Sequence, residues 1–518
     1  MIIKMQLKNL IDIAKVQEIG DFVWYGSADC SKVDFLHQDI DASLRKMAGS
    51  FAIVREDNSS IILICDFIRS IPLFYCVYKD EIVIGNNGVT VAKYCHATFS
   101  ETARTEFLYT SYVTGNETLF QSVYSVLPGE IVRISKSDGT INRHFYWEMI
   151  YEGKMEKLSE SELINKFDDC LTEVFKDLIA RLDGRTALIP LSGGCDSRIV
   201  AAMFKRLNYE KVICFSYGRR GNNDAVVSKK VANALGFPWH FIEYNKDMWE
   251  NLYTSEVYGD YLSYSCNGSG IGSVRSFPAM MKLKDKIPND CIVVPGHTLD
   301  VSFGSHIPDW KDAQVISRNE FVKQIKMKHY RLRRYPILCD SIVNRWADSL
   351  PQEMNEKRAI QEIQYFEWIN RQPKFIANEV RKYEFLGYGG WELPFWDYRV
   401  CEFVREVPAH MLKERYLQYK YMEKIIDPVV GIQIDYFKLL GGSEKAANIK
   451  RNLLRMFPFP ARAYCLFKMY KHDPMAFYDH ITLVEYINWI RRCGVGFNVH
   501  AMTTENGLHK IEEIINQD

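Results

Sequence analysis

The apolar run Thr186–Leu191 (TALIPL) passes straight into Ser192-Gly193-Gly194-Cys195-Asp196-Ser197, and helical periodicity resumes at Asp196. A strand that stops on two glycines and restarts as a helix fixes a strand–turn–helix unit. The same alternation continues on both sides. A helix spans Ser161–Leu182, and the turn's own helix runs over Asp196–Leu207. Then come a strand over Lys211–Tyr217, a helix over Asp224–Leu235 and strands over Trp239–Tyr244 and Cys291–Pro295. Strands separated by helices of 10–13 residues predict a doubly wound parallel sheet. After residue 310 the pattern is mostly helical.

Residues 1–150 read differently. Ser50–Val54, Ser60–Cys65, Ile71–Tyr78 and Glu81–Ile84 are short β-branched and aromatic runs separated by turn residues. Glu130–Ile134 and Ile141–Tyr146 flank Ser137-Asp138-Gly139 as a hairpin does. The polar stretch 150–162 reads as a linker. The expected division is 1–155, β-rich; 156–440, α/β; and 441–518, a helical C-terminal extension.

Composition narrows the function. Lys plus Arg and Asp plus Glu both number 65, giving zero net charge over 518 residues. That balance argues against a non-specific nucleic-acid binder. The thirteen cysteines contain no CxxC pair, so free thiols in a reducing, cytoplasmic setting are expected rather than a zinc or disulfide framework. No apolar stretch reaches 18 residues, and no signal peptide is read at the N-terminus.

The glycine turn carries the chemistry. Gly193 and Gly194 let backbone approach a ligand, the helix start offers unpaired N–H groups, and Ser192 and Ser197 add hydroxyls. This is a cradle for phosphates, without the GK[ST] ending of a Walker A loop. Asp196 would repel a bare phosphate, and it fits if Mg²⁺ lies between them. Asp and Ser as simple caps of an ordinary turn are the bland alternative.

The string SGGCDSR resembles the pyrophosphate-binding loop (PP-loop) of the N-type ATP pyrophosphatases, and within that group the chain resembles the asparagine synthetase family. Ile292–Gly304 is similar to that family's SGEGADEIFGG segment, with Asp300 as the second Mg²⁺-binding acid. Leu393–Arg399 (LPFWDYR) resembles its PFLDHR string. Gly49-Ser-Phe-Ala52, Asp66, Pro72–Tyr75 and Val123–Glu130 resemble the class II glutamine amidotransferase domain. The resemblance implies an N-terminal-nucleophile-like αββα sandwich followed by a PP-loop domain. It implies ATP and Mg²⁺, with Ser192, Gly193, Gly194, Asp196 and Ser197 around pyrophosphate and Asp196 and Asp300 holding the metal. Ser216-Tyr217-Gly218, at the next strand's end, would seat adenine, unless it is an ordinary loop. Lys438 is the candidate for the family's adenylation lysine; a solvated surface lysine is the competing reading.

Two departures matter. Glutamine-hydrolysing members carry cysteine directly after the initiator Met; here Ile2 stands there, so no glutaminase activity is expected. In this the chain resembles β-lactam synthetase and the lasso-peptide cyclases. His297-Thr298-Leu299 replaces Glu-Gly-Ala, so aspartate is not the expected acceptor; His297 is either a substrate-pocket group or a packed strand-end histidine. Lys374, Asn378, Arg381 and Glu384 share helical spacing and would either line that pocket or form a salt-bridged exposed face. Arg219 and Arg220 would meet phosphate or substrate carboxylate, or stand solvated in a loop, the plainer reading. Gly268-Ser-Gly270-Ile-Gly272 reads as a flexible helix entry. The basic, aromatic stretch 445–471 would lie on an anionic membrane or pack as an ordinary helix.

The expected function is an ATP-dependent amide-forming ligase. It would join a small-molecule carboxylate to an amine and release AMP and pyrophosphate. A non-catalytic scaffold of the same family and, more remotely, a tRNA-modifying PP-loop enzyme are the alternatives.

Overall fold

A computed structural model describes residues 5–13, 16–19, 21–28, 39–308, 310, 315–333, 338–432, 458–493 and 499–517. Among the described residues ten strands build the first region: β1 (Gln6–Leu10), β2 (Val16–Ile19), β3 (Phe22–Gly26), β4 (Phe51–Glu56), β5 (Ser60–Cys65), β6 (Phe74–Tyr78), β7 (Glu81–Gly85), β8 (Tyr124–Ser125), β9 (Glu130–Ser135) and β10 (Ile141–Phe145). They form two sheets, ordered β1-β7-β6-β8 and β10-β9-β5-β4-β3-β2. Ser60–Cys65 (SIILIC) does not alternate, because every residue of β5 is buried and both faces of the sheet are covered. The strands β1–β3 are absent from the sequence reading; β1 and β2 are short runs interrupted by Lys8 and Glu18, and β3 (FVWYG) is an apolar run without period-2 alternation. Asp66 is buried and accepts hydrogen bonds from the N–H groups of Phe51 (2.9 Å), Ile68 (3.1 Å) and Ser70 (2.9 Å), so it knits the 66–70 turn to β4.

The second sheet comprises β11 (Ala187–Pro190), β12 (Val212–Gly218), β13 (Trp239–Glu243), β14 (Ile292–Val293) and β17 (Gly390–Trp391); β15 (Ile316–Ser317) and β16 (Glu353–Met354) form a separate ribbon. The order β13-β12-β11-β14-β17 is parallel throughout. The chain winds outward from β11 through β12 to β13, then returns to the other side of β11 as β14. The crevice between the C-terminal ends of β11 and β14 is therefore the topological switch point, where ligands of such sheets bind.

The Glu160–Leu182 helix opens on a capping box, Ser159 with Glu162, and buries Leu163, Phe167, Leu171, Val174 and Leu178 along one face. Phe167 meets Phe303, Phe403 and Tyr421 at centroid distances of 5.0, 5.1 and 4.8 Å. Truncating such a ring costs about 3–5 kcal/mol. The helix thus locks the segment after β14 to the late helices.

Residues 150–155 are no loose linker. The N–H groups of Glu152 and Gly153 donate to the Arg405 carbonyl, and the Tyr151 hydroxyl donates to the Val407 carbonyl. The C-terminal Val499–Asn516 helix returns to pack on the Glu256–Ser265 and Glu101–Thr110 helices. Glu367–Ile376 winds as a wide π-helix containing Pro373. The nine cysteines whose side chains are described are free thiols. Among the described residues no helix is long and apolar enough to cross a membrane.

Candidate active site

The Cys195–Arg206 helix starts at the C-terminal end of β11 with Gly194 as N-cap and no side-chain cap. Its first-turn N–H groups therefore point at the switch-point crevice without an internal acceptor, the usual anion seat. The loop before it is held rigid from within. The Ser192 N–H donates to Ser197 Oγ (3.0 Å), the Gly194 N–H to Ser192 Oγ (3.1 Å) and the Gly193 N–H to Asp224 Oδ1 (3.1 Å). Arg198 is buried, donates to the Gly193 carbonyl at 3.1 Å and lies 3.5 Å from buried Asp427.

The structure brings Asp196 and Asp300 together. The Asp300 N–H donates to Asp196 Oδ2 at 3.1 Å, Gln418 Nε2 donates to Asp196 Oδ1 at 2.6 Å, and the Ser305 hydroxyl donates to Asp300 Oδ2 at 3.1 Å. Gly296 makes the approach possible: a Cβ there would lie 2.5 Å from the Ser197 nitrogen and 2.7 Å from the Asp196 carbonyl carbon. Burial, reinforced by the neighbouring Asp300 carboxylate, pushes the Asp196 carboxyl up to about 7. Two hard carboxylate oxygens in mutual repulsion beside an anion cradle fit an oxygen-seeking dication such as Mg²⁺. Asp196 and Asp300 would hold it.

Beyond Asp300 lies a polar wall. His297 is set beside Glu379 and Lys382; burial lowers its pKa, and its Nε2 has no hydrogen-bond partner among the described residues. Lys382 is fully buried and donates to Glu379 Oε2 (2.8 Å) and Ser276 Oγ (2.6 Å). Tyr217, at the end of β12, stacks on Tyr244 at 5.2 Å. Ser216 is buried, and Gly218 is covered by residues 474–475: a Cβ there would lie 2.8 Å from the Pro474 carbonyl oxygen. Arg219, partly exposed, pairs with Asp479 at 2.8 Å, while exposed Arg220 pairs with Glu243.

Lys374 and Arg381 do not line this wall. Lys374 is fully buried against the first region and donates to the carbonyls of Val113 and Gly115, both at 2.5 Å. Burial brings its ammonium down to about 7. Arg381 donates to the Ser70 carbonyl and pairs with Glu384 at 2.6 Å. The π-helical winding breaks the regular spacing that grouped these residues with a pocket face. Gly268–Gly272 is likewise no flexible entry. Cβ atoms at Gly270 and Gly272 would fall 2.2 Å from the Lys374 carbonyl oxygen and 2.9 Å from the Glu379 nitrogen, so this loop lies backbone-to-backbone on residues 374–379. Lys438 lies outside the described residues.

Sequence reasoning missed Gln418, Asp224, Arg198 and Gly296; only Gly296, in the Pro-Gly that ends the Cys291–Pro295 run, carried a local signal. It also missed the His306–Glu367–His329 triad. His306 Nδ1 meets Glu367 Oε1, and His329 Nε2 lies 3.1 Å from the same oxygen. The other Glu367 oxygen accepts from Gln372 Nε2 at 2.7 Å and lies 3.7 Å from Arg371. These donors hold the Glu367 carboxyl well below the usual range. A dication would meet Arg371 at short range, so the triad reads as a hydrogen-bonded unit rather than a metal centre.

Residues 179–259, which span β11, the glycine loop, β12 and β13, match the family model described as asparagine synthase. Over 201 residues the chain is 28% identical to the tRNA-specific 2-thiouridylase MnmA of Anaplasma marginale (strain St. Maries), covering 34% of this chain and 50% of that protein. Over 67 residues it is 37% identical to the 7-cyano-7-deazaguanine synthase of Microcystis aeruginosa (strain NIES-843 / IAM M-2473), covering 12% of this chain and 29% of that one. The chain therefore spans half or less of the length of these curated relatives. A solved glutamine phosphoribosylpyrophosphate amidotransferase from B. subtilis, complexed with ADP and GMP, aligns at 12% identity over half of each chain with a TM-score of 0.16, too low to bear on the fold.

Proposed function

We propose that this chain is an ATP-dependent ligase that joins a carboxylate to an amine, with release of AMP and pyrophosphate. The observation that carries this reading is the Asp196–Asp300 pair at the uncapped start of the Cys195–Arg206 helix, on the switch point of a parallel sheet. The asparagine synthase match over residues 179–259 supports it. A carboxylate oxygen would attack the α-phosphorus of ATP, the bond to the bridging oxygen would break, and pyrophosphate would leave. The amine nitrogen would then attack the acyl carbon, AMP would leave with the electron pair, and the amine would lose a proton. Ser192, Gly193, Gly194 and Ser197 would seat the pyrophosphate; Asp196 and Asp300 would fix its charge position. Bound Mg²⁺ would neutralise charge that grows on the phosphate oxygens. Ser216–Gly218 stays the proposed adenine edge, with the Tyr217 ring as its stacking face.

The two-sheet first region fits an N-terminal-nucleophile-like sandwich in a structural role. Its described cysteines, Cys65, Cys76 and Cys95, are all buried, and burial pushes the Cys65 thiol far up, which unsuits Cys65 to nucleophilic attack. Aspartate is an unsuitable acceptor for a wall carrying His297 and Glu379.

The test is carboxylate-¹⁸O transfer. Purified protein, Mg–ATP and a panel of acids and amines should yield AMP bearing one carboxylate-derived ¹⁸O. Formation of ADP, or AMP without label, sinks the proposal. The similarity to a tRNA-specific thiouridylase favours a second reading, tRNA modification; it covers half of that protein, and zero net charge weighs against it. ATP turnover that requires added tRNA would establish it instead.

Residues 445–457 lie outside the described residues, so the membrane reading of 445–471 rests on the helices beyond them. In the Pro458–His472 and Leu483–Cys493 helices, Tyr464 (66%), Phe467 (49%), Val484 (68%) and Ile487 (41%) are exposed beside Lys468 and Lys471. An apolar face with a basic flank suits an anionic lipid surface. Sedimentation with phosphatidylserine vesicles at low salt should carry the protein down; equal recovery with neutral vesicles would refute it.

A further inference from the structure

We infer that Thr298, with the neighbouring His297, holds an uncharged hydrogen-bonding group of the acceptor, a hydroxyl or a carboxamide, beside its reacting carboxylate. This rests on the ligase reading and names the substrate class of the same site.

Thr298 stands in an arch whose two feet rest on the start of the Cys195–Arg206 helix. At one foot Gly296 lies so close that a Cβ there would be 2.5 Å from the Ser197 nitrogen. At the other the Asp300 N–H donates to Asp196 Oδ2 at 3.1 Å. Each foot is two residues away, so the Thr298 Cα lies within about 7 Å of the Cα atoms of Gly296 and Asp300. The Thr298 carbonyl accepts from the N–H groups of Val301 (3.1 Å) and Ser302 (3.2 Å), which fixes its backbone where the Leu299–Ser302 helix begins. The arch thus holds residues 297 and 298 beside the proposed metal pair.

Two penalties fall on Thr298 in this place. Its φ of +83° is left-handed, a region where a β-branched side chain crowds its own backbone. Its Oγ1 is buried without a hydrogen-bond partner among the described residues, and it makes no cap bond to the helix it precedes. Glycine at this position would remove both penalties. Strain and an orphaned hydroxyl on one residue at the crevice mark a group kept for what it binds. One residue back, His297 Nε2 is likewise buried without a partner.

The unpaired atoms are neutral, and the charge nearest to them is spent. Burial lowers the His297 pKa, so its ring is uncharged near neutral pH. Lys382 places its ammonium protons on Glu379 Oε2 (2.8 Å), Ser276 Oγ (2.6 Å) and the Ser273 carbonyl (3.3 Å). That uses all three and leaves none for a second anionic group on the acceptor. A hydroxyl or carboxamide both gives and takes a hydrogen bond, which suits a threonine hydroxyl beside an imidazole nitrogen of either tautomer. An acid without such a group would leave both buried atoms unpaired, and sites built this way separate the two kinds of substrate by orders of magnitude.

The test is AMP release by the full chain with Mg–ATP, hydroxylamine as the amine, and acids offered in pairs. The pairs are lactate with propionate, 3-hydroxybutyrate with butyrate, and succinamate with 4-oxopentanoate. Wild type should favour the hydroxylated or amide member of at least one pair by about a hundredfold or more in kcat/KM. Which pair shows it separates a hydroxyl from a carboxamide. Thr298→Val, which keeps the shape and drops the hydroxyl, should bring that ratio down at least about tenfold, and Thr298→Ser should keep it. A merely structural threonine would alter both members of a pair alike. Equal turnover within every pair, a ratio that survives in Thr298→Val, or AMP from none of these acids while Mg–ATP binds overturns the inference. Failure of wild type to bind Mg–ATP, read by calorimetry in its own titration, would instead strike the ligase reading.

Discussion

Asp196→Asn should stabilise the ligand-free protein while destroying its nucleotide site. In the wild type the Asp196 carboxyl stands at about 7 against an ordinary 3.8, because it is buried beside Asp300. A carboxyl raised in this way binds more protons folded than unfolded between those two values. Its contribution is thus fully present below about pH 4 and lost as pH rises to about 7. Three units at about 1.4 kcal/mol each give about 4 kcal/mol as an upper bound, or about 2–4 kcal/mol once solvent in the cleft is allowed for. The amide removes the charge with little rearrangement. Its oxygen can keep the Asp300 N–H, and its nitrogen can donate to Gln418 Oε1, which is buried without a partner, after that amide turns over. For a cooperative unit of this size, 1 kcal/mol moves Tm by about 1 °C. Scanning calorimetry in EDTA should show the variant gaining about 2–4 °C at pH 8 and nothing at pH 4. Mg²⁺-dependent stabilisation by ATP should disappear. A variant that gains nothing at pH 8, or that still binds Mg–ATP with wild-type affinity, refutes the reasoning that two repelling acids await a cation.

Three further outcomes follow from contacts already described. Ser197→Ala removes the acceptor of the Ser192 N–H and should weaken ATP binding about tenfold by calorimetry, the cost of an orphaned buried donor. Gly296→Ala sets a methyl against the backbone of Asp196 and Ser197; it should cost about 1–3 kcal/mol in urea unfolding and abolish Mg–ATP binding. Lys374, held at about 7 against an ordinary 10.5, binds fewer protons folded than unfolded, so stability should rise with pH above 7, by up to about 3 kcal/mol at pH 9. Lys374→Met should flatten that rise in urea titrations, and a parallel pH profile would count against it.

The sheet and its glycine loop were legible because local signals and tertiary placement agreed there. Strand, Gly-Gly turn and helix follow one another within twenty residues, and Asp300 sits in the short helix that follows β14. The strands β1 and β17 were not legible, since their pairing comes from β7 and β14, far along the chain; β2 and β3 pair locally, in runs without period-2 alternation. Lys374 and Arg381 were misplaced for a related reason. The spacing argument assumed 3.6 residues per turn, and the π-helix does not keep it. Gln418 and Asp224 carry no local signature; Gln418 reaches the site because the late helices fold back over the Cys195–Arg206 helix, and Asp224 because the Asn223–Leu235 helix opens just after β12, the neighbour of β11. The covering of Gly218 by residues 474–475 was equally out of sight.

The wide helix has a consequence for how this chain can change over time. Glu367 looks toward the triad next to Asp300, while Lys374, seven positions on, holds carbonyls of the first region. In a helix every residue turns the side-chain direction through a large angle. Losing one residue between them would swing one end out of place whichever end stayed anchored. Substitutions in this stretch can be tolerated one at a time, but a change of length cannot. Insertions and deletions should therefore be shut out of 367–376 even where individual letters drift, making this the segment whose length, rather than its spelling, marks the lineage.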